Sequence, residues 1–298
     1  MKPETHMTLK NMALGFLVAA ALVAPCLAHA DTTVVRDRFS DQILGEGPDL
    51  IFIPGLASSR DTWKATAERL KAHYRVHLIQ VAGFAGEPAR GNAGGAVVVP
   101  TAEAIDAYLV EQHLTPATIV GHSLGGTMTL YLSEHHPEHV NKAMLVDALP
   151  FFATLMMGPN ATVDAVKPIA DQVRGGADKM SDAQRTQMMR SMATAPSDLA
   201  AIESWTKASD KGVVANATAD DMMLDLRPGL AKLSTPIVLL HPDYTALGSP
   251  PGMSDQMYKA AYAAATTVKV VEIAPSLHFI MLDQPAKFDV ALDGFLAQ

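Results

Sequence analysis

Short apolar runs alternate along this chain with segments in which apolar positions recur every three to four residues. The first kind reads as strands buried on both faces, the second as helices laid against them. Thr33 to Phe39 and Gln42 to Leu44 predict an opening hairpin, and Leu50 to Ile53 a buried strand that stops at Pro54-Gly55. Thr62 to Ala72 has helical period, Val76 to Val81 is the next strand, and a Gly-rich loop runs from Ala82 to Pro100. A helix is expected over Thr101 to Gln112, with Thr101 as its N-cap. Strands follow at Ala117–Val120, Ala143–Asp147, Pro236–Leu240 and Val268–Ile273, and Phe288–Leu296 closes the chain as a helix. This order predicts an α/β fold with a mainly parallel sheet flanked by helices.

Between Phe151 and Lys232 the pattern changes. The stretch has helical period throughout, is rich in Met, Ala and Asp, and is broken at Gly158-Pro159, Gly175-Gly176 and Pro196. The expected organisation is therefore a core of residues 31–150 and 233–298 with a helical insertion at 151–232. Residues 1–30 stand apart. Lys2 and Lys10 precede the apolar run Met12 to Leu27, and Ala28-His29-Ala30 is a small-x-small site. This predicts a secretory signal peptide cleaved near Ala30 and a periplasmic or secreted mature protein. The run falls short of a membrane span and Pro25 interrupts it, and no other run approaches that length.

Composition narrows the chemistry. The single cysteine, Cys26, lies in the leader, so the mature chain is expected to have neither disulfides nor a thiol nucleophile. The formal net charge of −8 is dispersed, and no basic stripe tracks phosphates, so nucleic acid is not an expected partner. A small-molecule substrate is. The oligomeric state is not legible.

The most informative motif is Gly121-His122-Ser123-Leu124-Gly125, which follows an apolar strand and opens a helix. A serine on a sharp, glycine-flanked strand-to-helix turn is a nucleophile elbow, and the two glycines let the backbone bend close to its neighbours. Ser123 is thus a candidate nucleophile and needs a base. His278, after the last strand and before the closing helix, is the candidate. Backbone N–H groups of Leu124 and of Leu56, after Pro54-Gly55, are candidate oxyanion donors. Ser58, Phe151, Phe152 and Met156 are candidates for lining a substrate site. His135-His136-Pro137-Glu138-His139 looks like a metal cluster but reads as an exposed helix end, because histidine suits a C-terminal turn. No metal and no organic cofactor are expected.

With Pro54-Gly55-Leu56, Gly121 to Gly125 and Leu277-His278-Phe279 in this order, the chain resembles the α/β-hydrolase superfamily over nearly all of Thr33 to Gln298. Within it the chain looks like a capped, esterase-like serine hydrolase. The resemblance implies that residues 151–232 form a helical cap after the sixth strand, and that an acid lies between Ser123 and His278. Two residues compete for that role. Asp243 follows the strand where the family usually places its acid, but Pro242 stands where a Gly-x-x-Asp pattern would begin, so Asp243 arrives two residues early. Asp147 ends the sixth strand, where some capped members carry the acid. The implied function is an exported serine hydrolase that cleaves a small, largely apolar ester through an acyl-enzyme. Amide, lactone or carbon–carbon bond hydrolysis, and a non-catalytic ligand-binding role, stay open as alternatives.

Overall fold

The computed structural model describes Met1, residues 32–176 and residues 181–298. The expected signal peptide beyond Met1, with Cys26 and the Ala30 cleavage site, lies outside the described residues. Eight strands build one sheet: β1 (Thr32–Val35), β2 (Phe39–Leu44), β3 (Asp49–Ile53), β4 (Arg75–Val81), β5 (Ala117–His122), β6 (Val140–Val146), β7 (Ile237–Pro242) and β8 (Val268–Ile273). Their spatial order is β1-β2-β4-β3-β5-β6-β7-β8. β1 and β2 form the antiparallel hairpin and β2 runs antiparallel to β4, whereas all later pairings are parallel.

Strand alternation feeds two cores. Ile51, Ile53, Ile119, Leu145 and Leu239 point to one face, under α2 (Val98–Glu111) and α3 (Leu124–His135). Leu50, Phe52, Val120, Val146 and Leu240 point to the other. They pack there with α1 (Lys64–Leu70), which precedes most of the chain, and with Phe288, Leu292 and Phe295 of the closing helix. From β3 the chain goes to β4 on one side and then to β5 on the other. The crevice at the carboxyl ends of β3 and β5 is therefore the topological switch point of the sheet, where ligands bind in open α/β folds.

Between β6 and β7 lie only helices and turns among the described residues: α4 (Thr154–Met157), α5 (Val163–Arg174), α6 (Asp182–Arg190), α7 (Pro196–Ala208) and α8 (Lys211–Met223). α5 and α8 enclose a small core of their own around Phe151, Val166, Ala170 and Ala219. After β7 come α9 (Met253–Ala261), which the hydrophobic pattern did not reveal, α10 (Ile280–Asp283) and α11 (Pro285–Leu296). No described helix is long and apolar enough to cross a membrane.

One expected boundary is corrected. Thr101 does not cap a helix; it is buried inside α2, which begins at Val98. Pro100 had read as the end of a loop, but proline is tolerated in a first helical turn because the N–H it lacks would have no partner there. The cap comes from a distant part of the chain. Asp220 Oδ2, on α8, accepts from Val97 N at 2.6 Å and Val98 N at 3.2 Å, and Arg174 holds the other carboxylate oxygen at 2.9 Å. The helical insertion is thereby tied to the core through a helix terminus. Asp220→Ala should lower stability by about 1–2 kcal/mol in urea unfolding at neutral pH. Arg174→Ala removes only a partly exposed ion pair and should cost well under ~1 kcal/mol. Equal losses in the two variants would show that the cap is not the tie.

Candidate active site

The elbow forms as its glycines require. Ser123 sits between β5 and α3 with φ 52° and ψ −122°, a left-handed conformation that costs about 1–3 kcal/mol for a residue with a Cβ. The surroundings hold it there: Ser123 N donates to Val146 O at 2.9 Å, and Ser123 O accepts from Thr127 N at 3.0 Å. A Cβ on Gly121 would collide with Gly125 O and Thr129 Oγ1, and one on Gly125 with the carbonyls of Ile53 and Pro54. The turn is therefore wedged against the end of β3. There Gly55 passes so close that a Cβ on it would lie 3.0 Å from Ser123 Cβ and 3.1 Å from His122 Nδ1. The Leu56 backbone, one residue on, is thus carried past the serine. Leu124 opens α3, where the first N–H groups have no acceptor within the helix.

His278 meets Asp147. Its Nδ1 lies 2.6 Å from Asp147 Oδ2, and the ring keeps 19% of its exposure while the carboxylate keeps 3%. Asp147 follows β6 at φ 51° and is fixed by its own N–H on Leu240 O at 2.8 Å. Asp243 is elsewhere engaged. It accepts from Ser276 N at 3.1 Å and Thr245 Oγ1 at 2.5 Å, which braces the loop leading to His278.

Two tyrosines that the sequence reading missed complete the carboxylate's shell. Tyr244 Oη donates to Asp147 Oδ2 at 2.7 Å, and Tyr258 Oη donates to Oδ1. Tyr258 belongs to α9 and its ring stacks on His241 with centroids 4.7 Å apart. Burial disfavours the charge on Asp147, but His278 and the two tyrosine donors outweigh it and hold the carboxyl below its ordinary range. Being ionised, it can only accept. In the neutral imidazole of His278, Nδ1 then carries the proton and Nε2 keeps a free lone pair.

His122, beside the serine, is fully buried. Burial first, and then the neighbouring His278, push its pKa down to about 3, so it is neutral. Its Nε2–H donates to the carbonyl of His278 at 3.1 Å, and its ring packs 4.6 Å from that of His278. The helical insertion grips the same loop: His278 N and Phe279 N donate to the carbonyls of Ser191 at 3.1 Å and Met192 at 2.8 Å.

The expected lining residues divide. Ser58 is buried and turns its hydroxyl back to Leu56 O at 3.1 Å, while its own carbonyl accepts from Gln80, so it shapes the loop after β3. Phe151 is fully buried in the insertion's core with the Arg227 guanidinium 4.5 Å over its ring, so it offers no surface to a ligand. The apolar character that suggested a pocket serves packing there. Phe152 is half-buried and Met156 is exposed.

The sequence pattern described as alpha/beta hydrolase fold matches residues 48–285. This chain belongs to the α/β-hydrolase family. A pimeloyl-[acyl-carrier protein] methyl ester esterase of Vibrio cholerae is 30% identical over 132 residues, which are 44% of this chain and 49% of that protein. The α/β-hydrolase chain thus spans about half the length of the first curated relatives it matches. A thermophilic esterase from Thermogutta terrifontis superposes with a TM-score of 0.71 at 17% identity, covering 89% of this chain and 98% of that one. The enol-lactonase from Burkholderia xenovorans superposes at 0.70 and 17% identity, over 87% and 96%. These two likenesses are of fold.

One acidic group of this α/β-hydrolase lies near the elbow without serving it. Asp221 of α8 is a neighbour of Thr127, one turn past Ser123, and its Oδ1 is shut away from solvent with no hydrogen-bond partner. Burial first, and then the charge of Asp220, raise its pKa to about 7 against the hydrogen bond from Thr127. A carboxyl raised when folded from an ordinary 3.8 costs stability as pH rises between those values, because the unfolded chain ionises first. Above about pH 7 the penalty is complete. Asp221→Asn should therefore be more stable than the parent by about 1–3 kcal/mol at pH 8 and nearly equal to it below pH 4. Chemical denaturation at the two pH values checks this; a pH-independent difference would refute it.

Proposed function

We propose that this chain is an exported serine hydrolase that cleaves a small, largely apolar ester. The observation that carries the reading is the 2.6 Å bond from His278 Nδ1 to Asp147 Oδ2, with Ser123 held at positive φ next in the chain to His122, whose ring packs 4.6 Å from that of His278. That bond fixes the tautomer, so the neutral imidazole carries its proton on Nδ1 and offers Nε2 as a general base. Ser123 Oγ attacks the carbonyl carbon as His278 Nε2 takes its proton. The tetrahedral oxyanion is held by the N–H groups of Leu124 and Leu56. The alkoxide leaves with the proton from Nε2, and the acyl group stays on Ser123. Water, deprotonated by the same nitrogen, then releases the acid and restores the serine. Asp147 holds the ring and stabilises the imidazolium while remaining ionised.

Ester cleavage is favoured over other acyl transfers by the esterase relatives, and export by the leader-like residues 1–30. A lactone is the second substrate class to test, because an enol-lactonase shares the fold. A fluorophosphonate probe should add one adduct to the wild type and none to Ser123→Ala, read by intact mass. An unlabelled, folded wild type would remove the serine from the mechanism.

The two aspartates separate in steady-state ester turnover. Asp147→Asn should lower kcat by about 10⁴-fold, since the wrong imidazole tautomer then faces the serine. Asp243→Asn should cost far less, because its contacts brace a loop. A larger loss in the Asp243 variant would exchange the roles.

A further inference from the structure

Of the histidines at the far end of α3, His135 is exposed as expected of a helix end, but His136 and His139 are not. Pro137 stops the helix, and the chain turns so that His136 and His139 both lean, half-buried, against α2. Their rings are parallel, with centroids 5.8 Å apart. Between them stands Asp106, buried on α2. One donor atom each from Asp106, His136 and His139 lies within 4.8 Å of the other two, the sole such group among the described residues. This group sits at the amino end of β6, and the elbow at the carboxyl end of β5, so the two lie at opposite ends of the sheet.

The hydrogen bonds leave a particular gap. Glu103, one turn before Asp106 on α2, faces His136 Nε2 with both carboxylate oxygens at 3.1 Å. Tyr131 Oη holds that carboxylate from the other side at 2.7 Å. Nε2 therefore carries the proton in the neutral ring, and Nδ1 presents a lone pair to Asp106 Oδ2 at 3.7 Å, too far for a hydrogen bond. Two donors at 2.0–2.1 Å from a tetrahedral ion lie about 3.3 Å apart, so His136 Nδ1 and Asp106 Oδ2 need to close by only a few tenths of an ångström to share one. A carboxylate on the remote nitrogen of a ligating histidine is the usual outer support of such a site. His139 Nδ1 is 2.8 Å from Asp106 Oδ1, and its Nε2 is 3.9 Å from Glu138 Oε1. A proton moved from Nδ1 to Nε2 would free the third donor.

We infer that Asp106, His136 and His139 form a binding site for a divalent transition ion of the zinc class, oriented by Glu103 and clipping α2 to the turn between α3 and β6. Two imidazoles and one carboxylate suit zinc and disfavour magnesium and calcium, which take oxygen ligands. The fourth position is open to water.

The test is equilibrium dialysis of untagged, chelator-treated protein against micromolar zinc, with magnesium in parallel, followed by thermal melts. Wild type should take up one zinc per chain and melt higher with it, and magnesium should do neither. His136→Gln and His139→Gln should each abolish the uptake, and Glu103→Gln should weaken it about 10–100-fold. His278→Gln should retain it, which separates this site from the catalytic histidine. Should the ligand variants fail to fold, hydrogen exchange on the wild type decides: zinc should slow the amides of α2 and of the turn before β6. The inference is overturned if wild type binds no zinc, if both histidine variants bind it undiminished, or if exchange slows only elsewhere.

Discussion

Asp147 is the constraint on which the candidate site depends. A carboxylate with so little access to water is tolerable only if its charge is met by donors, since burying an unpaired charge costs several kcal/mol. Three donors meet it, and each comes from a different segment: His278 from the loop after β8, Tyr244 from the turn after β7 and Tyr258 from α9. A charge that needs all three draws those segments to one point beside β6. The position of the imidazole is thus a consequence of satisfying the acid.

The serine side obeys a different physics, that of close packing. Gly121 and Gly125 allow the elbow to touch the backbone at the end of β3, and that contact brings Gly55, the residue before Leu56, beside Ser123. His122 links the two halves. It ends the strand on the serine side and donates to the carbonyl of His278, and its low pKa keeps it neutral where a second positive charge would oppose an imidazolium. The insertion adds the last hold through the carbonyls of Ser191 and Met192. A shift of the residues after α6 would carry the His278 backbone with it.

What the sequence made legible follows from range. The strands, the elbow and the histidine loop are written in local patterns: alternation, a glycine on each side of a serine, a turn after an apolar run. Asp147 and Asp243 could not be separated that way. Each ends or follows a strand of the sheet, and the choice rests on which carboxylate Tyr258 and His278 can reach. Tyr258 itself lies in a short helix entered through Ser249-Pro250-Pro251-Gly252, whose polar faces hide its period. The start of α2 was misplaced for the same reason, because its cap, Asp220, lies 123 residues away from Val97. The pairing of His136 with Glu103 was also invisible, although two adjacent helices carry it.

Helix α3 joins these arrangements. Its first residue follows Ser123, and the residues just past its end, His136 and His139, belong to the histidine cluster, beyond 12 residues or about 18 Å of helix. An ion at that distance takes no part in acyl transfer. Its effect would be mechanical. Ser123 is kept at positive φ only because the structure around it is firmer than the strain is large, and part of that firmness is the fixed position of α3. The amino end of α3 is pinned by glycine contacts with β3 and β5. The carboxyl end has no such wedge; it is held by side chains facing α2, by Thr235 Oγ1 on Ser133 O at 3.3 Å and by Ala117 N on His139 O at 2.7 Å. A clip made of Asp106, His136 and His139 would add a restraint there, which places the gain in the rigidity of the scaffold, apart from the proposed chemistry of Ser123, His278 and Asp147.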